Sequence, residues 1–203
     1  MSDLLDNFHL HGASLLTREI FLHNHHSYDE NPGVEYKMST MFIKNLRALD
    51  QDSSKEITVH MQSIGGEWGD GMAIYDAIKM CRSKITIISY GQAESMSSII
   101  LQAAHKRLLT RNSYVMVHYG TSGYSSQYLN AQNWHNYEKY LCDIMMDIYA
   151  CKCVSAEFFK NKNYDTSKVK KYLYRKLKDG DWYMNPKQAI YHGFADGIID
   201  KWQ

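Results

Sequence analysis

Apolar residues along the chain fall into two alternating rhythms. Short runs rich in β-branched residues read as strands. They are "REIFLHN" at residues 18–24, "SSKEITVHMQS" at 53–63, "KITIISYG" at 84–91 and "SYVMVHYG" at 113–120. In the second of these, Ile57, Val59 and Met61 share one face. Between the runs the apolar spacing becomes helical. Met38, Met41, Phe42, Leu46 and Leu49 predict a helix over 36–51, and Met72, Ile74, Tyr75, Ile78 and Cys81 predict another over 69–83. A third is expected from "SMSSIILQAAHKRLL" at 95–109. A long helical stretch is expected from Gln127 to Phe159, where Leu129, Trp134, Tyr137, Leu141, Ile144, Met145 and Ile148 recur. The final segment, "DWYMNPKQAIYHGFADGIID" at 181–200, reads as turn, helix, then short strand. Strands that each lead into a crossover helix predict a single layered α/β domain with mostly parallel strands. The long helical stretch is a candidate arm for packing against another subunit.

Composition adds limits rather than chemistry. The 203 residues are 44% hydrophobic and 22% charged, as in ordinary globular chains. A formal net charge of +1 gives no reason to expect nucleic acid or a membrane surface as partner. The basic run "SKVKKYLYRKLK" at 167–178 reads as a solvated helix face. Cys81, Cys142, Cys151 and Cys153 form no CxxC pair, so they read as reduced thiols; neither a metal nor a cofactor is expected. His23, His25 and His26 fall in a polar loop and read as solvated. The acidic start "MSDLLDNFHLHG" lacks the regions of a secretory signal, and no apolar run reaches membrane-spanning length. The expectation is a soluble, cytoplasmic protein.

Three features converge on possible chemistry. Ser95 stands where the strand "KITIISYG" gives way to a helix. Ligands of open α/β sheets bind at that edge, and a helix start offers unpaired N–H groups to a negative charge. Taken alone, a serine here is more often a helix cap than a nucleophile. The glycine-rich "IGGEWGDG" at 64–71 lets backbone approach a ligand closely, so Gly65 and Gly66 could add an oxyanion donor beside Met96. A plain tight turn explains it equally well. His118 ends the strand in "VMVHYG", and Asp179 or Asp181 in "KDGDWYM" could orient it as a general base. Any chain of this length holds some Ser, His and Asp, so these residues alone leave the question open.

The blocks "SIGGEWGDGMAIYDAI", "SYGQAESMSS", "NSYVMVHYGTSGY" and "DGDWYMNPKQAIYHGFADGII" together resemble the ClpP family of serine peptidases, in order and in approximate spacing. The likeness begins near "LLTREIFL" and runs to the end of the chain; phage-encoded ClpP-like proteins are the nearest subgroup in pattern. The resemblance implies the ClpP/crotonase fold, with repeated ββα units in a spiral and a protruding handle at about 125–160. Residues 1–17 are a divergent N-terminal segment. It implies heptameric rings stacked into a tetradecamer, an AAA+ unfoldase as partner, and unfolded polypeptide or peptides as substrate. Ser95 matches the nucleophile, His118 the base and Asp181 the third member, with Asp179 as the fallback. Gly66 and Met96 match the oxyanion hole. Gly120, Thr121, Ser122, Gly123 and Tyr124 match the strand that pairs with substrate backbone.

Departures from the family pattern are specific. Ile64 replaces a usual proline, Glu94 a usual small residue, and Gly180 a usual arginine of ring-to-ring contacts; "HYGTSG" lacks a usual proline. Thr58 and His60 lie in the strand whose surface aromatics usually receive unfoldase loops. Glu94 either raises the pKa of His118 or points to solvent. These changes motivate a second reading, a ring subunit with little or no catalytic activity. A crotonase-type acyl-CoA enzyme on the same fold ranks last, because it would not need the Ser95 and His118 blocks.

Overall fold

The computed structural model describes residues 2–22, 33–121, 123, 125 and 127–201. The polar loop carrying His23, His25 and His26 lies outside them, as do Ser122 and Tyr124. The chain opens with α1 (Ser2–His11), followed by β1 (Ala13–Ser14) and β2 (Glu19–Leu22). Helix α2 (Tyr36–Asp52) starts where the Glu35 carboxylate accepts from the backbone N–H groups of Lys37 and Met38, at 2.9 and 2.7 Å. It buries Met38, Phe42, Leu46 and Leu49, the face its spacing predicts. Strand β3 (Ile57–Ser63), helix α3 (Trp68–Met80), strand β4 (Ile85–Glu94) and helix α4 (Met96–Ala103) follow. Strands β5 (Lys106–Thr110) and β6 (Tyr114–Val117) lead into the long helix α5 (Tyr128–Cys153). Beyond it come α6 (Glu157–Lys160), α7 (Thr166–Lys176), a single 3-10 turn at Leu177–Asp179, β7 (Trp182–Met184), α8 (Pro186–His192) and β8 (Gly197–Ile199).

This is the mixed α/β architecture the alternation predicts. The sheet runs β1-β2-β3-β4-β5-β8, parallel from β2 onward. Among the described residues, antiparallel pairing is confined to β1 with β2 and β6 with β7. Strand β4 is longer than the apolar run suggests and serves two further neighbours besides β3. Thr86–Ser89 pairs with β5, and Gln92–Glu94 pairs with β6. Most of the buried apolar residues form one cluster, with Phe42, Tyr149, Phe159 and Phe194 among its largest fully enclosed side chains.

Three local readings are corrected. The helix expected to reach Leu109 stops at Ala103, and Lys106–Thr110 is a strand between β4 and β8. Ladder bonds on both sides outweigh the high helix propensity of "AAHKRLL". The long helix ends at Cys153, and a separate short turn of helix begins at Glu157. The "turn" before the last helix contains β7, paired to β6. The basic run forms α7, whose Val169 and Leu173 are buried while Lys170 binds Asp143 and Asp147 at 2.8 and 2.6 Å.

His60, in the strand whose surface aromatics usually receive unfoldase loops in the family, is buried. It stacks on Phe21, centroids 4.6 Å apart, and contacts the Tyr90 hydroxyl at 2.8 Å and Glu19 at 3.1 Å. Among the described residues, no helix is long and apolar enough to cross a membrane.

Arg107 on β5 is the main buried cation at the closing edge of the sheet. Its Nε donates to Asp196 at 3.1 Å, and further guanidinium bonds reach Gln102 and the Gly193 carbonyl. Burial alone raises the Asp196 carboxyl, but hydrogen bonds and charge from Arg107 outweigh it and hold the acid below its usual range. Its pKa is therefore lower folded than unfolded. That share of stability is complete above the unfolded value of about 3.9 and is lost as pH falls through the folded value. Asp196→Asn is expected to cost about 2 kcal/mol at pH 7, because Arg107 loses its counter-charge. Urea unfolding of both proteins checks this: the gap between them should shrink below about pH 4.

Candidate active site

Ser95 lies between β4 and α4 in a conformation that a capping serine does not need. Its φ is 50° and its side chain makes no cap hydrogen bond. A non-glycine residue in the left-handed region costs roughly 1 kcal/mol or more, and such strain collects where a side chain must be aimed. Structural work on this turn falls to its neighbours. Ser98 Oγ donates to the Ser95 carbonyl at 2.6 Å, and Ser97 Oγ donates to Ser63 Oγ at 2.6 Å. Both of those serines are fully buried.

Ser95 Oγ is left facing His118 Nε2, 2.7 Å away. His118 follows β6 directly, and Asp181 precedes β7 directly. The antiparallel register pairs Val117 with Trp182, so the next residues outward, His118 and Asp181, stand opposite each other. His118 Nδ1 and Asp181 Oδ1 are 3.3 Å apart. Asp179 ends the 3-10 turn instead, and among the described residues the carboxylate within 4 Å of His118 is that of Asp181. Gly180, with φ +108°, supplies the turn between the two acids.

The glycine pair after β3 is pressed against the serine turn. A Cβ on Gly65 would lie 2.6 Å from Ser95 Cβ and 2.8 Å from the Met96 nitrogen. On Gly66 it would lie 2.2 Å from the Val34 carbonyl oxygen. Val34 holds this loop by donating to the Gly65 carbonyl at 2.6 Å and accepting from Glu67 N–H at 2.9 Å. The Gly66 N–H takes part in neither bond. The Met96 N–H, at the first position of α4, has no acceptor within the helix. Gly66 and Met96 line the same cleft as Ser95.

A cleft of ≈ 1170 Å³ opens over these groups. Ile64, Gly120, Thr121 and Gly123 line it on the loop side, and Leu141, Cys142 and Met145 of α5 line the other. Gly120, Thr121 and Gly123 are exposed and belong to no strand of the single chain.

A model of the Clp protease family matches residues 17–202. This chain belongs to the Clp protease family. Its relatives include the ATP-dependent Clp protease proteolytic subunit of Carsonella ruddii (strain PV), 28% identical over 179 residues that cover 84% of this chain and 82% of that protein. The subunit of the same name from Deinococcus radiodurans is 30% identical over 171 residues, covering 83% and 77%.

Within this Clp protease family member, Glu94 is half-buried and bonded within the sheet rather than pointing to solvent. Its carboxylate accepts from the Tyr114 hydroxyl on β6. That bond, with burial second, pushes the Tyr114 hydroxyl up to about 12. Tyr114, Val34 and the cleft-lining face of α5 carried no functional signal in the sequence. Leu141 and Met145 could be placed on a helix face, but not against a particular loop. Gly65→Ala is expected to lower kcat by ~10²-fold or more, since the added methyl displaces the serine turn and its backbone donor. Steady-state kinetics beside circular dichroism would separate that loss from unfolding.

Proposed function

We propose that this chain is a serine endopeptidase that cleaves unfolded polypeptide or peptides. Ser95 is the nucleophile and His118 the general base, with Asp181 holding the imidazole in the tautomer that leaves Nε2 free to accept a proton. Attack on the peptide carbonyl gives an acyl-enzyme, and water then releases it. The N–H groups of Gly66 and Met96 stabilise the tetrahedral oxyanion, at about 3 kcal/mol per donor. The observation that carries this reading is the 2.7 Å contact between Ser95 Oγ and His118 Nε2, made by a serine in a strained turn. Exposed backbone at Gly120, Thr121 and Gly123 supports substrate binding by strand addition.

The same reading extends to assembly. The whole chain is one peptidase domain, and α5 is the handle through which subunits of a heptameric ring or tetradecamer pack. An exposed aromatic row on α5 supports this: Trp134, Tyr137 and Tyr140, with successive centroids 6.0 and 5.8 Å apart. An AAA+ unfoldase feeds the barrel with unfolded chain. Glu94 and Gly180 motivate the alternative of an inactive ring subunit, and the pairing of the Glu94 carboxylate with Tyr114 supports the active reading over it.

Light scattering run beside a fluorogenic peptide assay tests the proposal. The expected result is turnover by a particle of seven or fourteen subunits; an inactive monomer would defeat it. Adding a Clp unfoldase with ATP should accelerate degradation of an unfolded protein, and no acceleration would remove the unfoldase from the account.

A further inference from the structure

Ser95, His118 and Asp181 share one weakness: each sits just beyond the end of a strand. Ser95 follows Glu94 of β4, His118 follows Val117 of β6, and Asp181 precedes Trp182 of β7. Their spacing therefore depends on how firmly three strand ends are held together. The ladders there are short, Gln92–Glu94 against Tyr114–Met116 and Val115–Val117 against Trp182–Met184.

Side-chain direction puts His118 and Asp181 on a common face, and the φ 50° turn at Ser95 brings its Oγ to them. Residues in register point the same way, and alternate residues along a strand share a face. Gln92 and Glu94, Tyr114 and Met116, and Tyr183 therefore lie on one face. His118 and Asp181 extend the same alternation beyond the strand ends. Tyr114 stands on the middle strand of the three and reaches both neighbours. Its hydroxyl donates to Glu94 and lies 3.2 Å from Gln92 Oε1. Its ring lies against that of Tyr183, centroids 5.9 Å apart. The hydroxyl's one proton goes to the carboxylate, the stronger acceptor. With the hydroxyl's ionisation pushed up to about 12, Tyr114 remains a donor at any pH where a histidine-dependent peptidase is assayed.

We propose that Glu94 and Tyr114 are a positioning pair, which holds the strand end bearing Ser95 against the strand end bearing His118. The inference rests on the peptidase reading above, because it assigns the pair a purpose through those two residues. Neither member touches the reacting atoms. The bond fixes the residue immediately before a serine held at φ 50°, where a small relaxation would swing Oγ away from Nε2. It also explains why a carboxylate is tolerated beside a nucleophile: the hydroxyl turns it along the sheet toward β6.

Four variants test this in the full-length protein: Tyr114→Phe, Glu94→Ala, Glu94→Gln and the double Tyr114→Phe/Glu94→Ala. Tyr114→Phe keeps the ring on Tyr183 and removes only the hydroxyl. The expected result is a ~10-fold fall in kcat with KM for a short fluorogenic peptide unchanged. Glu94→Ala should match it, and the double variant should fall no further. Glu94→Gln keeps an acceptor and should restore most of kcat. The acidic limb of the kcat/KM profile should coincide in all variants. Full kcat in Tyr114→Phe, or additive losses, would overturn the pair. So would an acidic limb displaced in Glu94→Gln, since Glu94 would then act as a charge on His118. Crystal structures provide an arm independent of turnover. The Ser95 Oγ to His118 Nε2 separation should lengthen from 2.7 Å in Tyr114→Phe, and an unchanged separation contradicts the proposal. A wild type without peptidase activity would count against the peptidase reading, and the crystallographic arm would still decide the pair.

Discussion

On the proposed function, Ser95→Ala is expected to reduce peptide turnover by ~10⁶-fold, roughly the effect of removing the nucleophile of a serine peptidase. No neighbouring hydroxyl can substitute. Ser97 and Ser98 share the turn, but both are fully buried and bound to Ser63, the Ser95 carbonyl and Tyr149. Stability should change little. Alanine at φ 50° carries the same strain as serine, and the lost contact is a single half-buried hydrogen bond. Native mass and melting temperature should match wild type while turnover vanishes. A variant with unchanged turnover would remove Ser95 from the chemistry.

Asp181→Asn should lower kcat by between about 10² and 10⁴, with KM little changed. The asparagine amide would donate to His118 Nδ1, forcing the ring proton onto Nε2, where it cannot accept from Ser95. Asp181 is about half exposed, so water can compensate in part and the lower end of that range is reachable. Asp179→Asn, on the 3-10 turn, should leave kcat close to wild type. Equal losses in both variants would mean that His118 has no single carboxylate partner. Measuring kcat and KM for the three proteins across pH decides between them.

The sequence exposed different parts of the molecule to different degrees. Helices α2 and α3 were legible because one-sided burial imposes a period, and the residues that carry it are Phe42, Leu46, Ile74 and Ile78. Strand β5 was not, since Arg107, Leu108 and Leu109 owe their conformation to neighbours on both sides. Strand β7 was hidden for a similar reason: three residues are too few to show alternation, and only pairing to β6 defines them. Ser95 shows the same limit at the site. In one dimension it cannot be told from a cap, because the distinction is a backbone angle and a partner at residue 118. Its companion blocks pointed to His118 through family likeness. The same likeness put Asp181 ahead of Asp179, and the β6–β7 register supplies the physical reason that Asp181 is the nearer carboxylate. Glu94 stood out as a departure, but its partner Tyr114 lies 20 residues away and has no local signal.

The central claim is that Ser95 is the nucleophile of a serine peptidase. It is tested most directly by intact-mass and peptide-mapping mass spectrometry after treatment with a fluorophosphonate. The account predicts one adduct per chain, located on Ser95 and absent from both Ser95→Ala and His118→Ala. An unlabelled wild type, or an adduct on any other residue, would contradict it.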